Sequence, residues 1–153
     1  MHPTPVAREA LVAGSCAALL STVVLVAAGH RAGAPIAPIN AISHWYWGDE
    51  SLSRDRPSLR QTLAGYVTHH ASALFWGAVH AYGWARLRAA PKVPTLLAQA
   101  AATSAVAYGV DYHCTPRRLQ PGYEERLSPA GLFAVYATFA IGLAIGSAWV
   151  RRR

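Results

Sequence analysis

Four long apolar runs, separated by polar segments, dominate the chain. They cover residues 10–29, 62–85, 93–111 and 129–150. A helix needs about 20 residues to cross the roughly 30 Å of hydrocarbon in a bilayer, and each run is close to that length. Backbone groups find no water inside a bilayer, so such spans are expected to be helices that satisfy their own hydrogen bonds. The pattern predicts an all-α polytopic membrane protein, a four transmembrane helix bundle that forms one domain over residues 1–153.

Residues that favour helix initiation stand at the beginnings of three runs. Ser58, with Gln61 three positions later, fits a capping box ahead of the second run. Pro94 falls in the first turn of the third run, where its missing N–H costs nothing. Ser128 precedes Pro129 and can cap the fourth run. These signals predict helix starts close to the boundaries that hydropathy indicates.

The first polar segment carries a short helix signal of its own, at residues 40–47. Asn40 can cap this helix and Gly48 can end it. Trp45 and its two aromatic neighbours favour the headgroup zone of a membrane. The segment is therefore predicted to be an interfacial or partly re-entrant helix. It is either an amphipathic anchor or a lid over a polar site.

Small residues recur at a spacing of four in each run and form a ridge on one helix face. The ridges are Ala10, Gly14, Ala18 and Thr22; Ala73, Gly77, Ala81 and Ala85; Ala101, Ala105 and Gly109; and Ala134, Thr138, Gly142 and Gly146. Small residues let helix backbones approach closely where lipid gives no hydrophobic driving force. The ridges predict tight helix packing, either within one chain or between the chains of a homo-oligomer.

Composition and charge agree with a membrane location. Hydrophobic residues make up 53% of the chain and charged residues only 14%, whereas charged residues are about 25% of an average soluble domain. The net charge is +7, but the basic residues flank the apolar runs instead of forming one continuous face. Anionic lipid headgroups account for this distribution. The predicted partner is therefore the lipid bilayer and not nucleic acid.

Four spans place both termini on one side of the membrane. Lys and Arg number seven on each side, so a simple count does not decide the orientation. The short loop at residues 86–92 and the arginine tail at residues 151–153 lie next to span ends, where basic residues count most. We therefore expect cytoplasmic termini, with the loops at residues 30–60 and 112–127 outside.

Histidines and an aspartate at matching depths of two runs form the candidate site. The second run holds His69 and His70 near its beginning, and the third run ends with Asp111 and His113. Antiparallel neighbours bring an early residue of one helix beside a late residue of the next, and His44 in the first loop lies above them. Ionisable residues within membrane segments are costly and are commonly functional. These five residues are predicted to form a polar or ligand site in the outer half of the bundle.

Metal or haem binding, proton relay and structural hydrogen bonding are all compatible with this site, and residue spacing does not choose among them. Imidazoles with a carboxylate suit zinc, copper or iron, and two histidines on facing helices could hold a haem. The same residues could relay protons, or could simply hydrogen-bond within the bundle. His80 lies in the opposite half of the second run and is expected to contribute less. The cofactor is therefore either a metal, a haem or none.

Familiar catalytic motifs do not occur in the chain, which has no GxGxxG, P-loop, CxxC, HExxH or GxSxG pattern. Their absence favours a non-enzymatic integral membrane protein with a structural or envelope-support role. The alternatives are proton-linked or small-solute transport through the His/Asp site, and a metal- or haem-binding membrane redox protein.

Several segments together carry a resemblance to a known group of proteins. They are residues 35–48, the run Thr68, His69, His70 and Ala71, and Asp111 with Tyr112 followed by residues 116–124. In this combination the chain resembles small four-span bacterial inner-membrane proteins, from the first loop through the fourth helix. The resemblance implies a multi-pass location in the bacterial inner membrane and supplies no activity or ligand set.

Overall fold

The computed structural model describes residues 5–85 and 92–152, and this part of the chain is all-helical, with no β-strand. Its α-helices are α1 (Pro5–Arg31), α2 (Ala37–Ile42), α3 (His44–Trp47), α4 (Ala64–Gly83), α5 (Val93–Gly109) and α6 (Pro129–Arg151). A π-helical turn, Leu59–Leu63, leads into α4, and a second, Val110–Cys114, extends α5. Short 3₁₀ turns at Gly48–Ser53, Arg117–Leu119 and Tyr123–Arg126 complete the two long connections.

Three helices of the described chain are long and apolar enough to cross a membrane: Pro5–Arg31, Val93–Cys114 and Pro129–Arg151. The predicted second span also forms a helix, α4, which is long enough to cross a membrane but is not among these three apolar helices. The physical reason is its polar content, since three histidines lower the mean hydropathy of the helix. The predicted charge balance also counts Arg86, Arg88 and Arg153, which lie outside the described residues.

The predicted helix starts have the expected capping interactions. The Ser58 Oγ accepts a 2.9 Å hydrogen bond from the backbone N–H of Gln61. The Ser128 Oγ accepts one of 3.1 Å from the N–H of Gly131, directly ahead of α6. Proline occupies the first turn of α5, as its position in the sequence predicts. These caps satisfy donors that a helix leaves unpaired at its N-terminus.

Close backbone contacts hold α1 against both α4 and α6. A Cβ added to Gly77 of α4 would lie 2.5 Å from the carbonyl oxygen of Ala10 in α1. A Cβ added to Gly142 of α6 would lie 2.5 Å from the Cα of Ala17, and one on Gly146 would also collide with α1 backbone. Three of the four predicted ridges are therefore used within the chain, because only glycine allows these approaches.

The ridge on α5 is different. Ala101 and Ala105 are exposed, and a Cβ added to Gly109 would meet nothing within 4 Å. Helix α5 instead packs on α6 and makes few contacts with α4. A gap therefore remains between α4 and α5, while α1 fills the opposite side of the structure.

The first loop folds into the structure more deeply than an interfacial helix would. All six residues of α2 are buried. Asn40, predicted to cap a helix, lies within α2 instead, because the helix begins at Ala37. Its amide nitrogen donates to the carbonyl oxygens of Arg54 and Arg56, at 2.9 and 3.0 Å, and its oxygen accepts from Thr62 at 2.7 Å. Asn40 therefore holds together a loop whose parts are distant in sequence.

Helix α3 ends as predicted, at Gly48, whose φ of +70° favours glycine. The loop helices then meet the last connection of the chain. The His44 Nε2 and Trp45 Nε1 both donate to the carbonyl oxygen of Gln120, at 2.9 and 2.8 Å. We call α2, α3 and residues 115–127 the loop platform, and the opposite end of the structure, where α1 begins and α6 ends, the terminal end.

Candidate functional site

A cavity of about 490 Å³ occupies the gap between α4, α5 and α6, beneath the loop platform. Its wall is mostly apolar, and Ile42, Trp45, Leu119 and Pro121 of the platform close one end. Ala71 and Phe75 on the exposed face of α4 also line it, and Phe75 is 61% exposed. The cavity therefore opens sideways, through the outer surface of the helices.

Aromatic rings make up much of the cavity wall. The lining aromatic residues are Trp45, Phe75, Trp76, Tyr123, Tyr136 and Phe139. Several of them have fixed positions: Trp45 donates to Gln120, and the rings of Phe75 and Trp76 pack edge to face at 5.3 Å. A site lined by oriented aromatic side chains with a few polar groups is the usual form of a small-molecule pocket.

Asp111 supplies the carboxylate of this cavity. It lies in the π-helical turn that follows α5, and its Oδ2 accepts a 2.6 Å hydrogen bond from the hydroxyl of Tyr136. Across residues 5–85 and 92–152, Asp111 forms no ion pair. The Tyr136 hydroxyl therefore bonds directly to this carboxyl group, and no cation of the described residues pairs with it.

His69 lines the α4 side of the cavity that Asp111 also lines. Its Nε2 lies 2.9 Å from the hydroxyl of Ser21 on α1. The Ser21 hydroxyl already donates its hydrogen to the carbonyl oxygen of Ala17, at 2.7 Å. Ser21 must therefore accept from His69, which assigns the ring hydrogen to Nε2 and leaves Nδ1 as an acceptor. His69 is thus anchored to α1 through its outer nitrogen.

A tyrosine cluster connects the cavity with the loop platform. Tyr123 donates to Tyr136 at 3.3 Å, and Tyr136 in turn donates to Asp111. Tyr112 donates to the Glu124 carboxylate at 3.2 Å, and its ring packs 6.2 Å from that of Tyr136. Burial raises the pKa of both Tyr123 and Glu124 above their usual values. Tyrosine hydroxyls therefore bond to both carboxyl groups, that of Asp111 and that of Glu124.

The five predicted site residues occupy different environments. His69 and Asp111 line the same cavity. His70 turns toward Ser15 and Tyr66, each 3.3 Å from one of its ring nitrogens. His113 is exposed, with its ring 6.0 Å from that of Tyr108.

His44, the fifth predicted residue, belongs to the loop platform. There it borders a separate polar cleft of about 410 Å³, together with Asp49, Arg117 and Glu124. Within the described ranges, no three His, Cys, Asp or Glu side chains are gathered so that they could hold a metal ion. The predicted site therefore reduces to two of its members, which share one cavity.

A buried ion pair at the terminal end is a feature that sequence reasoning missed. The side chains of Glu9 and Arg151 are 0% and 5% exposed. The Arg151 Nε donates to the Glu9 carboxylate at 2.8 Å, and Nη1 lies 3.4 Å from the amide oxygen of Gln99. A signal was present, since opposite charges stand at the matching ends of the first and last runs. The position of the arginine tail beside a membrane span is equally typical of a simple flank, so the pattern alone does not indicate the pair.

His80 lies in a network beside this ion pair and is not among the residues that line the cavity. Its Nδ1 is 3.0 Å from the hydroxyl of Thr103, and its Nε2 is 3.1 Å from that of Ser147. Thr103 donates its own hydrogen to the Gln99 carbonyl, so it accepts from His80, and also from Trp84 at 3.2 Å. His80 is therefore satisfied by helix side chains, in agreement with the expectation that it lies apart from the candidate site.

The chain matches no protein-family model, no curated protein and no solved structure. Its function must accordingly be argued from the cavity and from the way the helices surround it.

Proposed function

We propose that this is a non-enzymatic integral membrane protein with four membrane-spanning helices that holds a small, largely apolar molecule in the cavity beneath the loop platform. The proposal includes a location in the bacterial inner membrane, with both termini cytoplasmic. The observation that carries it is the preformed, aromatic-lined gap between α4 and α5.

Contacts between the two long loops support a crossing by α4. Trp45 of the first loop donates to Gln120 of the last, and Asp55 forms an ion pair with Arg126. Loops in contact must lie on one side of a membrane. The chain between them consists of α4 and α5, and the latter is apolar enough to cross. If α5 crosses, α4 must cross as well, despite its histidines.

The buried Glu9–Arg151 pair supports a common side for both termini. It joins the beginning of α1 to the end of α6. Two helix ends in contact lie on the same side of a membrane, and an even number of spans places both termini there. Charges within membrane proteins are stable where they pair in this way inside the helices. The histidines of α4 fit the same pattern, because His69, His70 and His80 all bond to side chains of neighbouring helices or of α4 itself.

The size and lining of the cavity support a small molecule as its occupant. Its volume of about 490 Å³ falls among ligand pockets, which commonly measure about 300–1,000 Å³. The lateral opening at Ala71 and Phe75 faces the surface that hydrocarbon would cover, so an apolar molecule could enter from the bilayer. A role in envelope support fits a protein that retains such a molecule without transforming it.

Proton-linked transport is the second candidate, and the tyrosine cluster favours it. Tyr136 and Tyr123 provide hydroxyl groups next to Asp111, and such groups can pass protons between carboxylates. Proton flux through reconstituted vesicles would separate this function from simple retention.

A neutral fluorescent dye tests the proposed function. Nile red should bind saturably to the protein in phosphatidylcholine nanodiscs, above the signal of empty nanodiscs. Ala71→Trp places an indole in the mouth of the cavity and should abolish the saturable component. Ala102→Trp is the matched control, because Ala102 is exposed on α5 and does not line the cavity. Equal dye binding by both variants would remove the cavity as a ligand site.

A further inference from the structure

We propose that the ligand of this cavity is a monovalent lipophilic organic cation, for which Asp111 is the counter-ion and the surrounding aromatic rings hold the apolar body. This inference rests on the proposed function, since it requires that the cavity takes a small molecule. It adds the sign of the ligand's charge, its valence and its route of entry.

The charge of the cavity lining determines the sign of the ligand's charge. Asp111 is the one carboxylate among the described residues that line the cavity, and neither lysine nor arginine stands beside it there. Tyr136 donates one hydrogen bond to this carboxylate, which orients it without neutralising it. A carboxylate among apolar side chains is costly. A cationic ligand would offset that cost, whereas an anionic ligand would add to it.

The Nε2–H group of His69 is not a partner of the Asp111 carboxylate. Its Nε2–H is directed to Ser21 on α1, on the far side from the cavity. The remaining Nδ1 is an acceptor, and an acceptor can receive a hydrogen from a protonated amine. His69 and Asp111, which both line the cavity, can therefore accept hydrogen bonds from a ligand, which favours a donor or a cation.

Aromatic faces provide the second element of cation recognition. Trp45, Trp76, Tyr123 and Tyr136 all line the cavity. The faces of such rings carry negative potential and attract organic cations, most strongly where water is excluded. Tyr136 both lines the cavity and donates to Asp111, so the carboxylate lies next to an aromatic residue. An aromatic wall with one carboxylate is suited to a diffuse positive charge.

The dimensions of the cavity and its lateral opening determine the valence and the size of the ligand. One carboxylate can neutralise one positive charge, and a cavity of about 490 Å³ accepts a drug-sized molecule. A diacyl lipid is far larger than this space. Entry past Ala71 and Phe75 requires a molecule that partitions into hydrocarbon. A compact cation with an apolar shell meets all three conditions.

Two ions of the same shape and opposite charge test the proposal without any mutation. Tetraphenylphosphonium should bind saturably to the protein in phosphatidylcholine nanodiscs, and tetraphenylborate should not. Each ion is measured by equilibrium dialysis against empty nanodiscs. Equal saturable binding of the two ions would overturn the assignment of charge.

A charge-removing variant then tests the role of Asp111. Asp111→Asn should weaken tetraphenylphosphonium binding about tenfold or more, because the ligand loses its desolvated counter-ion. The control is Asp49→Asn, which removes the same charge from the separate loop cleft and should leave binding unchanged. Equal affinities in the two variants would contradict the inference.

The outcomes separate this inference from the proposed function. Asp111→Asn keeps the volume of the cavity, so it should still bind Nile red, and that binding also shows that the variant is folded. Dye binding without any preference for the cation would overturn this inference and leave the proposed function standing. Failure of both dye and cation to bind would overturn both.

Discussion

Arg151 is the first of three consecutive arginines at the end of the chain, yet its side chain is only 5% exposed. It reaches the Glu9 carboxylate beneath the surface of the terminal end and also approaches Gln99. Burial of two charges is costly, and their attraction repays it only with good geometry and additional hydrogen bonds. The pair therefore specifies which ends of α1 and α6 meet more than it adds net stability.

Removal of one member of this pair should be strongly destabilising. Arg151→Met leaves the Glu9 carboxylate buried without its guanidinium and should lower the free energy of unfolding by about 3–5 kcal/mol. Unfolding in mixed detergent micelles measures the change. Arg152→Met is the control, because Arg152 is exposed, and it should change stability little.

The double replacement Glu9→Leu with Arg151→Met should recover most of the loss, since a buried pair can be exchanged for apolar residues at low cost. A single variant as stable as the parent protein would show that the pair is not buried in the folded protein.

Helix α1 is the element against which both α4 and α6 are assembled, whereas α5 packs on α6. Its small residues pack directly against glycines of α4 and α6, namely Gly77, Gly142 and Gly146. The α5 ridge makes no such contact, as the open space at Gly109 shows. The same sequence pattern therefore has two different consequences, which depend on the neighbour of each helix.

A matched pair of substitutions tests this difference. Gly142→Ala should lower stability by about 1–3 kcal/mol, because the new methyl group collides with the Ala17 backbone. Gly109→Ala should be neutral or stabilising by up to about 1 kcal/mol, since alanine favours a helix and the space is open. Thermal unfolding in detergent measures both. Equal effects would show that the α6 ridge does not contact α1.

Hydropathy and capping residues predicted the helices well, because the length of an apolar run and the residues at its ends are local properties. Helix α6, predicted at residues 129–150, spans Pro129–Arg151 and has Ser128 as its cap. The prediction that Asn40 caps a helix is wrong, because its side chain bonds instead to Arg54, Arg56 and Thr62. No local pattern indicates that a polar side chain will bond across a loop of this length.

Only part of the predicted site comes together in one cavity, because depth along a helix can be counted from the sequence and rotation about its axis cannot. Depth along antiparallel helices brought His69 and Asp111 to one cavity, and depth can be counted from the sequence. Rotation about the helix axis separated His70, which turns toward α1 at Ser15. It also left His113 on the exposed surface. Rotation depends on which neighbours a helix has, and those neighbours follow from packing that one sequence does not reveal.

At the scale of the whole molecule, polar groups are concentrated at the two ends, and the cavity lies under one of them. The terminal end holds the Glu9–Arg151 pair with the His80 network. The other end holds the loop platform, where Gln120 receives hydrogen bonds from His44 and Trp45. The proposed topology accounts for this arrangement, because it places both long loops on one side of the membrane, with α4 and α5 each crossing it.

Sided labelling of introduced cysteines tests that central claim most directly. In a chain with Cys16→Ala and Cys114→Ser, the exposed positions Ser53, Arg118 and Arg152 are replaced singly by cysteine. A membrane-impermeant maleimide is then applied to each face of the bacterial inner membrane. The account predicts that the first two positions react only from the outer face and the third only from the cytoplasmic face. Reaction of the Ser53 and Arg118 replacements from opposite faces would contradict it, because α4 would then not cross the membrane and the loop platform could not form.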